Sequence, residues 1–188
     1  MSDEIVVKQE PRELHPEGQF AAVCVDLIAL GMRVNDFQGH ESAAESCVFV
    51  FVTGEVNSKG FAFSIPYEVT VSTSPKAKLM KLLKSWRGKD FTPEELGSGF
   101  TLSAYVGKPA LVSLIKKFSK AGNPRIEIET IMPLPKQMPV PQKGDYKRQE
   151  FWATKKLEYA SAYQKYLGKL RRGEPDEVEI ADDETAPF

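Results

Sequence analysis

Basic and aromatic side chains occur together near the turns of the predicted strands of this chain. These residue types bind single-stranded nucleic acid without reading its sequence. Lysine and arginine neutralise phosphates, and aromatic rings stack on exposed bases for about 1–3 kcal/mol per base. The candidate contact residues are Lys59, Phe61, Phe63, Tyr67, Lys108, Lys116, Lys117, Phe118, Lys120 and Arg125. The strongest candidates are the pair after the Lys59-Gly60 turn and the cluster before Gly122-Asn123-Pro124.

Each aromatic candidate also has a structural explanation, because a ring can fill a core as well as stack on a base. Phe49 and Phe51 alternate with valines in one β-branched run, so one of the two sets must face the interior. Trp86 follows two leucines at helical spacing and is predicted to be buried. The cations of that segment form either a solvated helix face or a phosphate track; they are Lys76, Lys78, Lys81, Lys84, Arg87 and Lys89.

Residues that could support catalysis are sparse. His15 and His40 are the only histidines, and neither lies at a metal-ligand spacing from a cysteine. The sequence contains neither a phosphate-binding glycine loop nor a nucleophile elbow. Asp26, Asp36 and Glu41 are candidates for a nuclease-like metal site, but nothing in their spacing requires one. We therefore expect a binding protein without catalytic activity, cofactor or metal.

Five segments have the β-branched, aromatic pattern of strands: 18–34, 46–53, 61–72, 108–118 and 125–132. Between the third and fourth, Ser74-Pro75 predicts the start of a helix and Gly88 its end. Thr92-Pro93-Glu94-Glu95 predicts a second, shorter helix with a capping box. Three strands, a helix and two strands is the element order of the OB-fold, a five-stranded Greek-key barrel. The sequence therefore predicts an all-β fold with helical additions, with an OB-fold domain over residues 18–132.

The segments around this domain differ in composition. Residues 1–17 are polar and predict a flexible arm, and residues 133–144, with four prolines, predict an extended linker. Residues 145–172 predict a basic helix, since ten basic residues oppose three acids over 136–172. An apolar stripe on this helix indicates packing on the barrel or on a second copy; the alternative is a DNA-contacting element. The stripe consists of Trp152, Tyr159, Tyr163, Tyr166 and Leu170.

Residues 173–188 form an acidic tail. From Glu174 onward the chain has seven acids and no basic residue, so we expect this segment to be disordered. The chain as a whole has a net charge of −1, and without those seven acids it carries 25 basic against 19 acidic residues, or +6. A basic body with an acidic tail is typical of a nucleic-acid binder with an interaction segment. The alternative is a tail that only increases solubility.

The two cysteines, Cys24 and Cys47, lie in apolar strand-like runs, which favours buried free thiols over a disulfide. The first residues lack the pattern of a signal peptide, and no apolar run approaches the roughly 20 residues of a membrane helix. We therefore expect a cytoplasmic protein that does not bind membranes.

Two parts of the sequence resemble known families. The run Ser85-Trp86-Arg87-Gly88-Lys89-Asp90-Phe91-Thr92-Pro93-Glu94-Glu95-Leu96, with Tyr105-Val106-Gly107-Lys108-Pro109-Ala110, is similar to a family of phage and prophage OB-fold single-strand binders. This resemblance covers residues 16–136. The end of the tail resembles the acidic tip of bacterial single-stranded DNA-binding proteins. That likeness implies docking on replication, recombination and repair proteins through Asp182, Asp183, Glu184, Pro187 and Phe188, with the ring in an apolar pocket and the terminal carboxylate on a basic residue.

The expected function is therefore sequence-independent coating of single-stranded DNA in phage replication or recombination. Partners would be recruited through the tail tip, and homo-oligomers are one option. Two alternatives stay open: an adaptor that mimics the tip to inhibit host repair proteins, and a strand-annealing recombinase. The basic residues on strands and loops distinguish a DNA-binding protein from the adaptor, because an adaptor does not need them.

Overall fold

A computed structural model describes residues 13–173. The fold is mostly β with helical additions, as the sequence predicts. The predicted tail, and with it the tip from Asp182 to Phe188, lies outside the described residues, as do residues 1–12 of the arm. The elements are β1 (Gly18–Phe37), β2 (His40–Val52), β3 (Ile65–Thr70), α1 (Lys78–Arg87), α2 (Pro93–Ser98), a 3-10 turn (Leu102–Tyr105), β4 (Pro109–Phe118), β5 (Pro124–Met132) and α3 (Phe151–Arg172).

The five strands form one antiparallel sheet in the order β3-β2-β1-β4-β5. The first strand reaches both neighbours because it is 20 residues long: its start pairs with β4, and most of its length pairs with β2. Register shifts after Cys24 and Ala29 mark bulges, which bend a strand and increase its twist. The two edge strands, β3 and β5, come within 8 Å of each other by their Cα atoms.

One face of the sheet carries the main core. Phe49 and Phe51 are fully buried there, and both rings contact the indole of Trp86, at centroid distances of 6.0 and 5.1 Å. The indole nitrogen of Trp86 donates a hydrogen bond of 2.8 Å to the Pro109 carbonyl. The leucines of α1 pack on the same cluster, and this helix contacts both edge strands. Trp86 is therefore a core residue, as its helical spacing predicts.

The opposite face of the sheet is covered by α3. Its Trp152 is 8% exposed and packs on Ile28, Leu30, Val48 and Val50. These four side chains alternate with those of the main core, so the central strands are buried on both faces. The interpretation of the C-terminal helix as a packed element is confirmed, and its partner is the β1–β2 surface of the same chain.

Several predicted boundaries are wrong. The first hairpin is longer than predicted, since β1 ends at Phe37 rather than at residue 34 and β2 begins at His40 rather than at residue 46. The third strand begins at Ile65 rather than at residue 61, because the backbone N–H groups of Phe61 and Ala62 are bound to the side chains of Asn57 and Asp145. The first helix begins at Lys78, since the extended backbone of Ala77 separates it from the Ser74-Pro75 turn.

Two predicted helix-end signals are correct, whereas the predicted start of the last helix is not. Gly88 ends α1 in the left-handed conformation at φ 69°, as predicted. Thr92 and Glu95 form the predicted capping box of α2 through reciprocal hydrogen bonds of 3.2 and 2.9 Å. The last helix begins at Phe151 rather than at residue 145, because the preceding residues are held to the sheet: Tyr146 and Arg148 both bind Asp26.

Candidate nucleic-acid interface

A groove of about 620 Å³ lies among the β2–β3 loop, the edge strands β3 and β5, and the first turns of α3. It brings together four of the residues predicted to contact nucleic acid: Phe61, Phe63, Tyr67 and Arg125. Segments distant in sequence thus form one surface. The C-terminal helix contributes a wall, which the strands of the sheet alone would not provide.

Two phenylalanines in the lining are available to a ligand. Phe61 is 57% exposed on the β2–β3 loop, and Phe151 is 56% exposed at the start of α3. Phe63 is half-buried and packs against the His15 ring, at a centroid distance of 5.3 Å. Tyr67 is also half-buried, and the ammonium of Lys78 lies 4.1 Å from its ring centroid. Phe61 and Phe151 are therefore the strongest stacking residues.

The loop that carries Phe61 is fixed by its own hydrogen bonds. Asn57 accepts from the Phe61 backbone N–H through its side chain at 3.0 Å and from the Gly60 N–H through its carbonyl at 2.8 Å. Gly60 has a φ of 80°, which favours glycine. The next residue, Ala62, donates from its backbone to Asp145 at 3.0 Å, which ties the loop to the segment before α3. The exposed ring is thus presented by an ordered backbone.

The charge of the groove is balanced rather than uniformly basic. Its lining includes three cations and three carboxylates, namely Lys78, Arg125, Lys155, Glu13, Glu68 and Glu127. Arg125 lies 2.6 Å from Glu127. Lys155 lies 2.6 Å from Glu68. Carboxylates thus pair with two of the three cations of the groove, and Lys78 donates to the backbone carbonyl of Glu68.

Glu68 joins α3 to the sheet. It accepts hydrogen bonds of 2.6 Å from both Lys155 and Tyr159, and Arg33 lies 3.0 Å away. Burial alone would raise the pKa of Glu68, but the hydrogen bonds from Lys155 and Tyr159 outweigh it and leave the pKa below its usual range. Burial and the bond to Glu68 raise the pKa of Tyr159 to about 12. This network holds the helix that forms the groove wall.

The other predicted contact residues lie elsewhere. Phe118, 65% exposed, is at the β4–β5 turn with Lys116, whose ammonium is 5.8 Å from the ring centroid. Lys117 and Lys120 are exposed near the same turn, and Lys117 reaches Glu127 at 3.5 Å. Among the remaining candidates, Lys59 is exposed on the β2–β3 loop but does not line the groove, and Lys108 lines a different cavity.

That second cavity, of about 650 Å³, lies beside Trp86 in the segment between α1 and β4. Its walls are mainly apolar, with Phe91 and Phe100 stacked at 4.6 Å. Arg87 lies 4.1 Å from the Phe91 centroid and pairs with Glu95 at 2.6 Å. The strongly patterned sequence around Trp86 therefore builds this cavity rather than the groove.

Sequence reasoning misses the role of three groove residues. From the sequence, Lys78 is one of six cations on a predicted helix, with either a solvated face or a phosphate track as their role. In the folded chain, its ammonium lies over the ring of Tyr67. Phe151 and Lys155 are not among the contact candidates, although the basic helix itself is an alternative DNA element. The sequence feature that could have identified them as contact residues is an aromatic residue close to lysines at the start of that helix. The position of Phe151 in the same groove as Phe61 follows only from the folded chain.

A nuclease-like metal site does not form from the predicted carboxylates. Asp26 is bound to Tyr146 and Arg148, whereas Asp36 and Glu41 face each other near the β1–β2 turn. Among residues 13–173, no group of three histidine, cysteine or acidic side chains is arranged to hold a metal. Over the same residues, no helix has both the length and the apolarity needed to cross a bilayer.

Comparison with known proteins yields no matching family model and no matching curated sequence. Arguments about function therefore rest on the residues of the groove.

Proposed function

We propose that this protein binds single-stranded DNA without sequence specificity through the groove between the β2–β3 loop, β5 and α3. In this proposal it acts in phage replication or recombination within the bacterial cytoplasm. Residues 182–188 recruit partner enzymes, separately from the groove. The observation that carries the proposal is the pairing in one groove of two exposed phenylalanines, Phe61 and Phe151, with lysine and arginine side chains.

The sheet topology supports an OB-fold as the framework. An OB barrel requires β1 to pair with both β2 and β4, and requires the β3 and β5 edges to come together. The strand order β3-β2-β1-β4-β5 and the approach of the two edges are compatible with this framework. OB-folds bind oligonucleotides on the second and third strands and on neighbouring loops, one of which joins the fourth and fifth strands. The groove includes part of β3 and the start of β5, directly after that loop.

The exposed aromatic rings favour single strands over duplex. Bases in a duplex are already stacked on each other, so their faces cannot reach Phe61 or Phe151. A single strand offers every base face to these rings, and stacking is tolerant of sequence. Because the groove cations are partly neutralised, stacking contributes a larger share of the affinity than in a uniformly basic groove.

The test is binding of a fluorescent oligo-dT and of an equally long duplex to wild type and to three Phe→Ala variants. Phe61→Ala and Phe151→Ala should each weaken oligo-dT binding about 5- to 150-fold, the equivalent of about 1–3 kcal/mol of stacking. Phe37→Ala is the matched control, because Phe37 is 73% exposed at the β1–β2 turn, outside the groove. A loss of oligo-dT affinity only in Phe37→Ala would refute binding in the groove. No binding by wild type would refute the proposal and favour a tip-mimicking adaptor.

A further inference from the structure

Two cations pair with one carboxylate at the β5 side of the groove. Glu127 lies 2.6 Å from the Arg125 guanidinium and 3.5 Å from the Lys117 ammonium. A third cation, Lys78 at the start of α1, lines the same groove beside Tyr67. Ion pairs on a protein surface usually join one cation to one anion, so this arrangement leaves positive charge in excess.

Lys78 is held in place on this side of the groove. Its ammonium donates to the Glu68 carbonyl at 3.0 Å and lies 4.1 Å from the Tyr67 ring centroid. Burial lowers the pKa of Lys78, whereas the negative charge of Glu127 acts in the opposite direction and the positive charge of Lys117 adds to the lowering. The charges of Glu127 and Lys117 therefore both act on Lys78.

The cations remain accessible from solvent. The side chains of Arg125 and Lys117 are 58% and 53% exposed, and that of Glu127 is 33% exposed. A ligand can therefore approach the cluster without unfolding any element. A carboxylate and a phosphodiester both carry one negative charge and accept hydrogen bonds through two oxygens, so each can take the place of the other.

We propose that Lys78, Lys117 and Arg125 form a phosphate site, and that Glu127 occupies it until a phosphodiester of the bound strand takes its place. The inference rests on the proposed single-strand binding and adds the position of a backbone contact. Glu127 lowers affinity, because each phosphate must compete with it. It also reduces attraction of duplex DNA, whose binding depends on phosphate contacts alone.

The test replaces Glu127 with glutamine, which keeps the shape of the side chain and removes its charge. Glu127→Gln should bind oligo-dT about 3- to 10-fold more tightly at moderate salt. The slope of log affinity against log salt should become steeper by about 0.7 for each additional phosphate that the variant neutralises. Glu129→Gln is the matched control: Glu129 is exposed two residues along the same strand and outside the groove lining, so the same charge change should alter affinity less than twofold. Equal effects of the two variants, or none at Glu127, would overturn the inference.

A second measurement separates this inference from the proposed function. Inorganic phosphate is titrated into wild type and Glu127→Gln, and the backbone amide NMR signals of residues 117 and 125–127 are followed. The variant should show tighter, saturable binding of phosphate, which Arg125→Gln abolishes in the same background. If oligo-dT binds neither protein but phosphate binds the variant, the proposed function fails and the anion site remains. If oligo-dT binds wild type while Glu127→Gln changes neither ligand, only the anion site fails.

Discussion

Replacement of Trp152 by alanine tests whether α3 is a permanent part of the domain. The indole is 8% exposed and packs on Ile28, Leu30, Val48 and Val50, which are between 0% and 5% exposed. The Glu68 network still attaches the helix after the substitution, so the site cannot collapse fully and a cavity remains. Truncation of a buried tryptophan under such conditions costs about 3–5 kcal/mol of unfolding free energy.

The assay is chemical denaturation of wild type and Trp152→Ala, combined with hydrogen exchange of the α3 amides. The variant should lose about 3–5 kcal/mol, and exchange in α3 should accelerate. Leu157→Ala is the control on the same helix, because Leu157 is 72% exposed and its truncation should cost under about 1 kcal/mol. A loss below about 1 kcal/mol at Trp152, with unchanged α3 protection, would refute the reasoning that this residue anchors the helix.

Three further predictions concern the tail, a carboxyl group and the thiols. Deletion of residues 182–188 should leave oligo-dT affinity unchanged or raised and abolish capture of partner enzymes; a large loss of affinity would contradict separate roles for tail and groove. The hydrogen bond from Arg148 holds the pKa of Asp26 below its usual range. Asp26→Asn should therefore cost about 1–2 kcal/mol at neutral pH, and the difference should shrink as the pH falls through the acid range, measured by denaturation at several pH values. Burial raises the pKa of Cys24 to about 12 and that of Cys47 to about 11, so both free thiols should react with a disulfide reagent only at the rate of unfolding.

The sequence predicts the elements of the sheet well, because the strands combine β-branched and aromatic residues in runs that fit no helix. Phe49 and Phe51 illustrate its limit. Alternation shows that one parity faces the core, but the neighbouring valines are also buried, since α3 covers the second face. A helix about 100 residues later decides the environment of β2, and local pattern contains no information about that contact.

Side-chain capping of the backbone explains the late start of β3. The segment from Phe61 to Ser64 alternates like a strand, yet Asn57 and Asp145 take the N–H groups that a ladder would use. Asn57 is close enough in sequence to suggest a turn, whereas Asp145 is 83 residues away from Ala62. Locally encoded ends, such as the Thr92–Glu95 capping box, are correct because both partners lie within one turn of helix.

The electrostatics of the candidate site depend on pairings that composition does not show. Counting Lys59, Lys116, Lys117 and Arg125 near aromatic residues suggests a basic surface, but the Glu127 carboxylate pairs with two of these cations. Composition gives the number of charges, and only the fold shows which opposite charges meet. The sequence identifies Phe61 as a contact candidate because its turn can be read locally, whereas Phe151 needs tertiary structure.

The balanced charge of the groove bears on how a protein of this kind would avoid duplex DNA. Affinity for duplex rises with each phosphate that a protein neutralises, whether or not any base is contacted. When carboxylates of the groove pair with its cations, they weaken the attraction between those cations and the phosphates of any form of DNA. In the proposed binding mode, stacking on Phe61 and Phe151 would restore affinity only for strands whose bases are exposed. Glu127 and Glu68 would thus increase discrimination between single strand and duplex while they reduce absolute affinity, and Glu127→Gln should bind both forms more tightly with a smaller ratio between them.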